Sequence, residues 1–106
     1  MTLRYSLEKG RYLSTSSTDK KFDEYFAETA LLLTRSYGYD INMVEFVLRE
    51  GQPYVINSTN PVPMMDKRLM MPDQFNWCVD EVVNLAIERA KRPLPTPHPF
   101  QFNLEE

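Results

Sequence analysis

Cysteine is nearly absent. One residue, Cys78, stands in 106, which excludes an internal disulfide framework and a thiolate metal cluster. A reducing, intracellular compartment is the simplest expectation. The single histidine, His98, sits between prolines, so neither a zinc centre nor a nucleophile–histidine pair has the residues it needs. Glycine is scarce as well: three residues, scattered, cannot build a glycine-rich phosphate loop. No run approaches the roughly 18 uninterrupted apolar residues of a membrane span. Residues Met1 to Gly10 are polar and charged, without the apolar core of a secretory leader. A cytoplasmic protein with no membrane partner is therefore expected. Positive charge is not in excess, with 12 Lys and Arg against 15 Asp and Glu and both signs interspersed. That excludes the basic stripe of a nucleic-acid binder.

The residues that are present suit one small folded unit. An apolar fraction of 42% and a charged fraction of 25% are ordinary for a globular domain. Residues 3–13 suggest a short strand or two around Gly10. Phe22, Tyr25, Phe26, Ala30, Leu33 and Tyr37 recur at helical spacing, predicting a helix over 19–37 with Thr18 or Asp19 as cap and Gly38 as stop. "INMVEFVL", 41–48, and "QPYVIN", 52–57, have strand composition around a turn at Arg49-Glu50-Gly51. A loop holding Pro61, Pro63, Met64, Met65, Met70 and Met71 follows. A second helix is expected over 73–92, capped by Asp73, stopped by Pro93, with Phe75, Cys78, Val79, Val82, Ala86 and Ala90 as its stripe and Val83 and Ile87 widening it. The fold class is α+β: a small antiparallel sheet built on a central hairpin, with two helices on one face. Residues 93–106, "PLPTPHPFQFNLEE", form a proline-rich extended tail. Phe100 and Phe102 would anchor it on this domain or on a neighbouring subunit.

The hairpin carries the polar groups of interest. With a three-residue loop, Leu48 opposes Gln52 and Glu45 opposes Val55, and Asn57 lies diagonally from Glu45 on one face. Asn60 follows just past the strand. One carboxylate and two amide carbonyls form an all-oxygen set of the kind Mg²⁺ takes, with water and phosphate completing it. Asp40 and Asn42 flank the entry to the first strand and can orient a substrate or the metal shell.

The run "GYDINMVEFVLREGQPYVINSTNPVP" resembles the metal-binding end of an ATP-grasp domain, the fold of glutathione synthetase and of D-alanine–D-alanine ligase relatives. In that family a strand with an acidic residue, a glycine turn and a return strand ending in a second acid, then Asn and often Pro, hold Mg²⁺ against nucleotide phosphates. The resemblance implies that Glu45 is the first acidic ligand and Asn60 the terminal Asn, with Asn57 standing where the second acid belongs. It further implies ATP and Mg²⁺ as cofactors of a complete enzyme, with Arg4 and Asn42 on the nucleotide side and Arg11 also able to meet phosphate. It makes residues 1–92 a partial C-terminal subdomain, whose nucleotide-binding lobe must come from elsewhere in the protein or from another chain. The expected function is the metal-site portion of a ligase that joins a carboxylate to an amine or thiol, without turnover by this chain alone. The alternative is a non-catalytic interaction or oligomerisation module, such as a homodimer, with an eroded site and a methionine-rich contact surface.

Overall fold

The computed structural model describes residues 1–15 and 20–92, and the strands there form two separate antiparallel pairs. β1 (Tyr5–Ser6) pairs with β2 (Arg11–Tyr12), and the Tyr5 and Tyr12 rings meet edge to face at 5.2 Å. A 3₁₀ turn over Lys20–Phe22 leads into α1 (Asp23–Tyr37), with Asp23 and Glu24 in the first turn, where carboxylates suit the positive end of the helix dipole. The helix begins four residues later than predicted, because the 3₁₀ turn takes the first residues of the expected span. Phe22 stands in the cap position with no side-chain cap bond, rather than Thr18 or Asp19, which lie outside the described residues. The helix ends where expected. Gly38 is left-handed at φ 72°, and the N–H groups of Gly38 and Tyr39 bond back to Arg35 and Thr34.

β3 (Glu45–Arg49) and β4 (Gln52–Asn57) form the central hairpin. The second strand has the predicted bounds. The first is shorter than predicted, because Asn42 and Met43 bond outside the ladder, to α1 and to the exit from β4. The turn also differs from expectation. Arg49 opposes Gln52, so the loop is the two residues Glu50 and Gly51, at φ 51° and 74°. Two successive positive φ angles are those of a type I′ turn, whose twist matches that of the strands. A side chain at the first position is disfavoured there, which is why the sequence suggests a longer loop. The register moves by one residue in consequence: Phe46 opposes Val55 and Val47 opposes Tyr54. A one-residue slip exchanges faces. Phe46 turns to α1, where its ring lies 4.6 Å from Phe26 and 6.2 Å from Tyr25. Val47 and Tyr54 face water.

α2 (Pro72–Ala90) begins one residue earlier than predicted, with Met71 rather than Asp73 as cap. Pro72 suits the first helical turn because its missing N–H would have had no partner there. Gln74 reaches back so that its Oε1 accepts the Met71 N–H at 3.0 Å. Its Nε2 donates to the Leu13 carbonyl at 2.7 Å, tying α2 to the chain just past β2. Gln74 is fully buried, beside the apolar cluster of Tyr12, Met70 and Cys78 that Leu3, Leu69 and Phe75 flank. Thus α1 packs on the central hairpin, α2 on the first one, and the class is α+β. The two meet where Arg89 forms an ion pair with Asp40, its Nε 3.1 Å from Oδ2. No helix among the described residues is long and apolar enough to cross a membrane.

Two changes test these local causes. Glu50→Asn relieves the left-handed strain at the turn and should raise stability by about 0.5–1 kcal/mol in urea unfolding. Gln74→Leu keeps the volume but strands the Leu13 carbonyl and the Met71 N–H, and should cost about 1–3 kcal/mol in the same measurement.

Candidate functional site

Glu45, Asn57 and Asn60 lie where the central hairpin opens. Between Phe46–Val55 and the next pair, the register shifts, and Glu45 stands directly opposite Asn57 rather than Val55. Ile56 is the extra residue, a bulge in β4. The two polar residues are therefore closer than the diagonal relation predicted, for a reason no turn-based register contains. Asn57 Oδ1 accepts the Thr59 N–H at 3.3 Å and so starts the turn that leaves the strand. Tyr37 of α1 closes over that turn, its hydroxyl 3.1 Å from Ser58 Oγ.

Asn60 is in a loop, yet both its backbone groups are held. Its carbonyl accepts the Met43 N–H at 3.0 Å, and its N–H donates to Asn42 Oδ1 at 2.7 Å. Met43 lies two residues before Glu45, so these bonds stitch Asn60 beside the start of β3. Asn42 Nδ2 donates to Thr34 Oγ1 at 3.2 Å and to the Ser58 carbonyl at 3.1 Å. Asn42 is therefore a structural bridge between α1, the approach to β3 and the exit from β4. Asn60 Oδ1 accepts the Val62 N–H at 3.3 Å.

Tyr12 is the residue that sequence inspection misses. Its hydroxyl donates to Met43 Sδ at 3.6 Å, and its ionisation is pushed up, first by burial and then by the nearby charge of Glu45. The phenol thus stays protonated beside the carboxylate. Only a contact between the two hairpins reveals it, and nothing local at "GRYL" predicts one. Arg4, expected on the nucleotide side, is exposed just before β1, where its carbonyl accepts the Leu13 N–H at 2.8 Å. Asp40 is committed to Arg89. In the loop, Asp66 is held by Arg68 at 2.7 Å, which with the Arg68 N–H keeps its carboxyl down at about 2. The methionines divide: Met70 is buried in the core while Met64 is exposed. Cys78 is buried and its thiol is pushed up by that burial, as suits a small core residue. His98, Phe100 and Phe102 lie outside the described residues.

Among the described residues no three His, Cys, Asp or Glu side chains converge as a metal cluster. Glu45, Asn57 and Asn60 instead offer one charged and two neutral oxygens. Each amide oxygen already accepts one backbone N–H and keeps its second lone pair. This donor set fits a hard dication only as part of a shell, with phosphate and water supplying the other ligands. No family model, curated protein or solved structure matches the chain.

Glu45→Gln removes the second of the causes that raise Tyr12, after burial. The Tyr12 ionisation should move down in pH yet stay above that of an ordinary tyrosine, because burial remains. Carbon-13 NMR of the labelled tyrosine ring carbons against pH reads this directly. An unmoved midpoint would separate Glu45 from Tyr12.

Proposed function

We propose that this chain is the C-terminal, metal-holding portion of an ATP-grasp ligase-like protein. Glu45 is the principal Mg²⁺ ligand, with Asn60 and Asn57 as neutral oxygen donors. A second lobe, on the same protein or another chain, supplies the nucleotide-binding surface. In the complete enzyme the γ-phosphoryl group of ATP passes to a substrate carboxylate, releasing ADP and leaving an acyl phosphate. An amine or thiol then attacks the carbonyl carbon, and phosphate leaves. The chain by itself binds metal weakly and turns nothing over, because a dication beside one carboxylate lacks the Coulomb attraction of a second. A cytoplasmic setting accords with the reduced Cys78.

The observation that carries this reading is the opposition of Glu45 and Asn57 across the bulge, with the Asn60 backbone stitched beside Met43. The three oxygen-bearing residues lie at one end of a stiff hairpin, in the order in which the resembling motif uses them. A second reading, a non-catalytic interaction module with an eroded site, is favoured by different observations. The amide oxygens are partly spent on their own turns, and Val47, Tyr54 and Ile56 are exposed on the hairpin.

Mn²⁺, a paramagnetic substitute for Mg²⁺, separates the two in an NMR titration. Under the first reading the Glu45, Asn57 and Asn60 signals broaden first, and more so with ATP present. Asn57→Asp restores the missing charge and should tighten binding by about tenfold, or roughly 1.4 kcal/mol. Glu45→Gln should abolish selective broadening. Broadening spread over surface carboxylates, indifferent to Asn57→Asp, would leave the interaction module standing.

A further inference from the structure

The central hairpin is a sheet of two strands, so each strand has one edge that no described strand covers. The two edges are not alike. Arg49 and Gln52 flank the two-residue turn as a hydrogen-bonded pair, and bonded and non-bonded pairs alternate from there. Leu48–Pro53 and Phe46–Val55 are then the non-bonded pairs, which agrees with the missing N–H of Pro53. Their backbone groups point outward. The edge of β4 is therefore blunted by a proline and, beyond Val55, by the bulge at Ile56. β3 has neither device. The N–H and carbonyl groups of Phe46 and Leu48 stand along its outer side, and neither residue forms a backbone bond outside the hairpin among the described residues. Val47 and Leu48 are 42% and 45% exposed there.

We propose that β3 is the docking edge for β3 of a second copy of this chain, paired antiparallel about Val47, so that two hairpins join in one four-stranded sheet. What the register brings together is the reason for it. Phe46 of each copy exchanges backbone bonds with Leu48 of the other, which satisfies every outward donor and acceptor of the strand. Glu45 of each copy stands opposite Arg49 of the other, so both ends of the interface carry an opposite-charge pair. Val47 meets its own counterpart at the two-fold axis. On the face toward α1, the half-buried Phe46 lies beside the exposed Leu48 of the other copy.

Neighbouring registers lose this match. Centring on Phe46 sets Glu45 opposite Val47, and centring on Leu48 sets Arg49 opposite Val47. A parallel arrangement in register would bring like charges together at both ends. The order of charges along β3 thus makes the strand complementary to its own reverse. Closure follows as well. Both outer edges of the four-stranded sheet are β4, each with Pro53 and its bulge, so pairing stops at two copies instead of growing into a fibre. Two five-residue strands make a small interface of the weak, reversible class, with a dissociation constant of about 10–1,000 μM. This surface is one that the interaction-module reading leaves unnamed, and it does not rest on either reading of Glu45. Its backbone bonds belong to Phe46 and Leu48, and only the end pair shares the Glu45 carboxylate with the proposed metal.

The full chain at about millimolar concentration supplies the test. Within one strand Glu45 and Arg49 lie about 13 Å apart, beyond the reach of an NOE, whereas the pairing brings their Hα atoms together across two copies. An Hα–Hα NOE between Glu45 and Arg49 of differently labelled chains is expected, with a sedimentation mass rising toward twice the monomer. Leu48→Pro removes an outward N–H and no bond of the hairpin ladder, and should raise the dissociation constant about tenfold or more. Arg49→Glu should also weaken pairing, and Glu45→Arg/Arg49→Glu should restore it. Unshifted Phe26 and Phe46 ring signals verify that the hairpin stays folded on α1 in each variant. A monomer mass throughout overturns the proposal, as does a dimer indifferent to Leu48→Pro and to the charge reversal. A dimer without the NOE overturns it by placing the interface elsewhere, such as on the exposed valines of α2. Backbone contacts to Phe46 and Leu48 from within one molecule overturn it in favour of a chain that covers its own edge. The Mn²⁺ titration succeeds or fails independently of these outcomes.

Discussion

The carboxamide of Asn42 is the joint on which the hairpin end depends. One oxygen accepts the Asn60 N–H and one nitrogen donates to both Thr34 and the Ser58 carbonyl, so a single planar group fixes three segments. Water cannot substitute for it easily, since a water bridge would not impose one angle on all three. The Met43–Asn60 backbone bond lies immediately beside it and extends the stitching beyond the last ladder pair. The result is a loop residue positioned almost as firmly as a strand residue. A site built from Glu45, Asn57 and Asn60 needs that firmness, because all three stand at the end of the ladder or follow it.

Away from this joint the chain is thinly packed. Tyr12, Met70 and Cys78 are the buried apolar residues among those described, and the one side chain fully removed from water is polar. Two small hairpins, each with its own helix, enclose little volume between them. Specific polar ties therefore carry much of the tertiary organisation: Gln74 between α2 and the segment after β2, Asn42 between α1 and the central hairpin, Arg89–Asp40 between the two halves. Such ties set geometry well and contribute modestly to stability, about 0.5–1.5 kcal/mol for each neutral hydrogen bond. Exposed apolar residues on the hairpin and on α2 follow from the same shortage of cover. Covering them is where additional stability is available.

How much of this was legible in the sequence depended on the range of the physics involved. α1 and its stop at Gly38 could be read because periodicity and a left-handed cap are local signals. β4 could be read for the same reason, from β-branched residues bounded by a turn and by Asn-Ser-Thr-Asn-Pro. The start of α2 was missed by one residue because Pro72 reads equally as a loop residue, and Met71 has no side chain of the usual capping kind. The hairpin register was missed because Glu50 takes a left-handed conformation that composition argues against. Beyond local range the sequence was silent. Neither Tyr12 over Met43 nor Asn42 as a three-way bridge leaves a local mark, since each is made by residues from distant parts of the chain. Glu45 and Asn57 were singled out through their order along the hairpin, while their direct opposition comes from an irregularity that no pattern announced.

That irregularity decides which residues face each other at the hairpin end. Continuing the observed register without interruption would set Ile56 opposite Glu45, since Phe46 faces Val55 and Val47 faces Tyr54. The carboxylate would then pair with an alkyl side chain, and Asn57 would belong to the loop. The bulge at Ile56 advances β4 by one place, so a carbonyl-bearing residue meets the carboxylate instead. Ile56 is left 60% exposed, a cost in apolar burial. Bulges recur where a side chain must be re-aimed at the edge of a sheet, and this one sets Asn57 opposite Glu45. An interaction module that needed only an apolar hairpin would gain by closing the register and burying Ile56. The proposed metal role rests on this polar pair, and the asymmetry of one carboxylate and one amide is what makes the proposed binding weak.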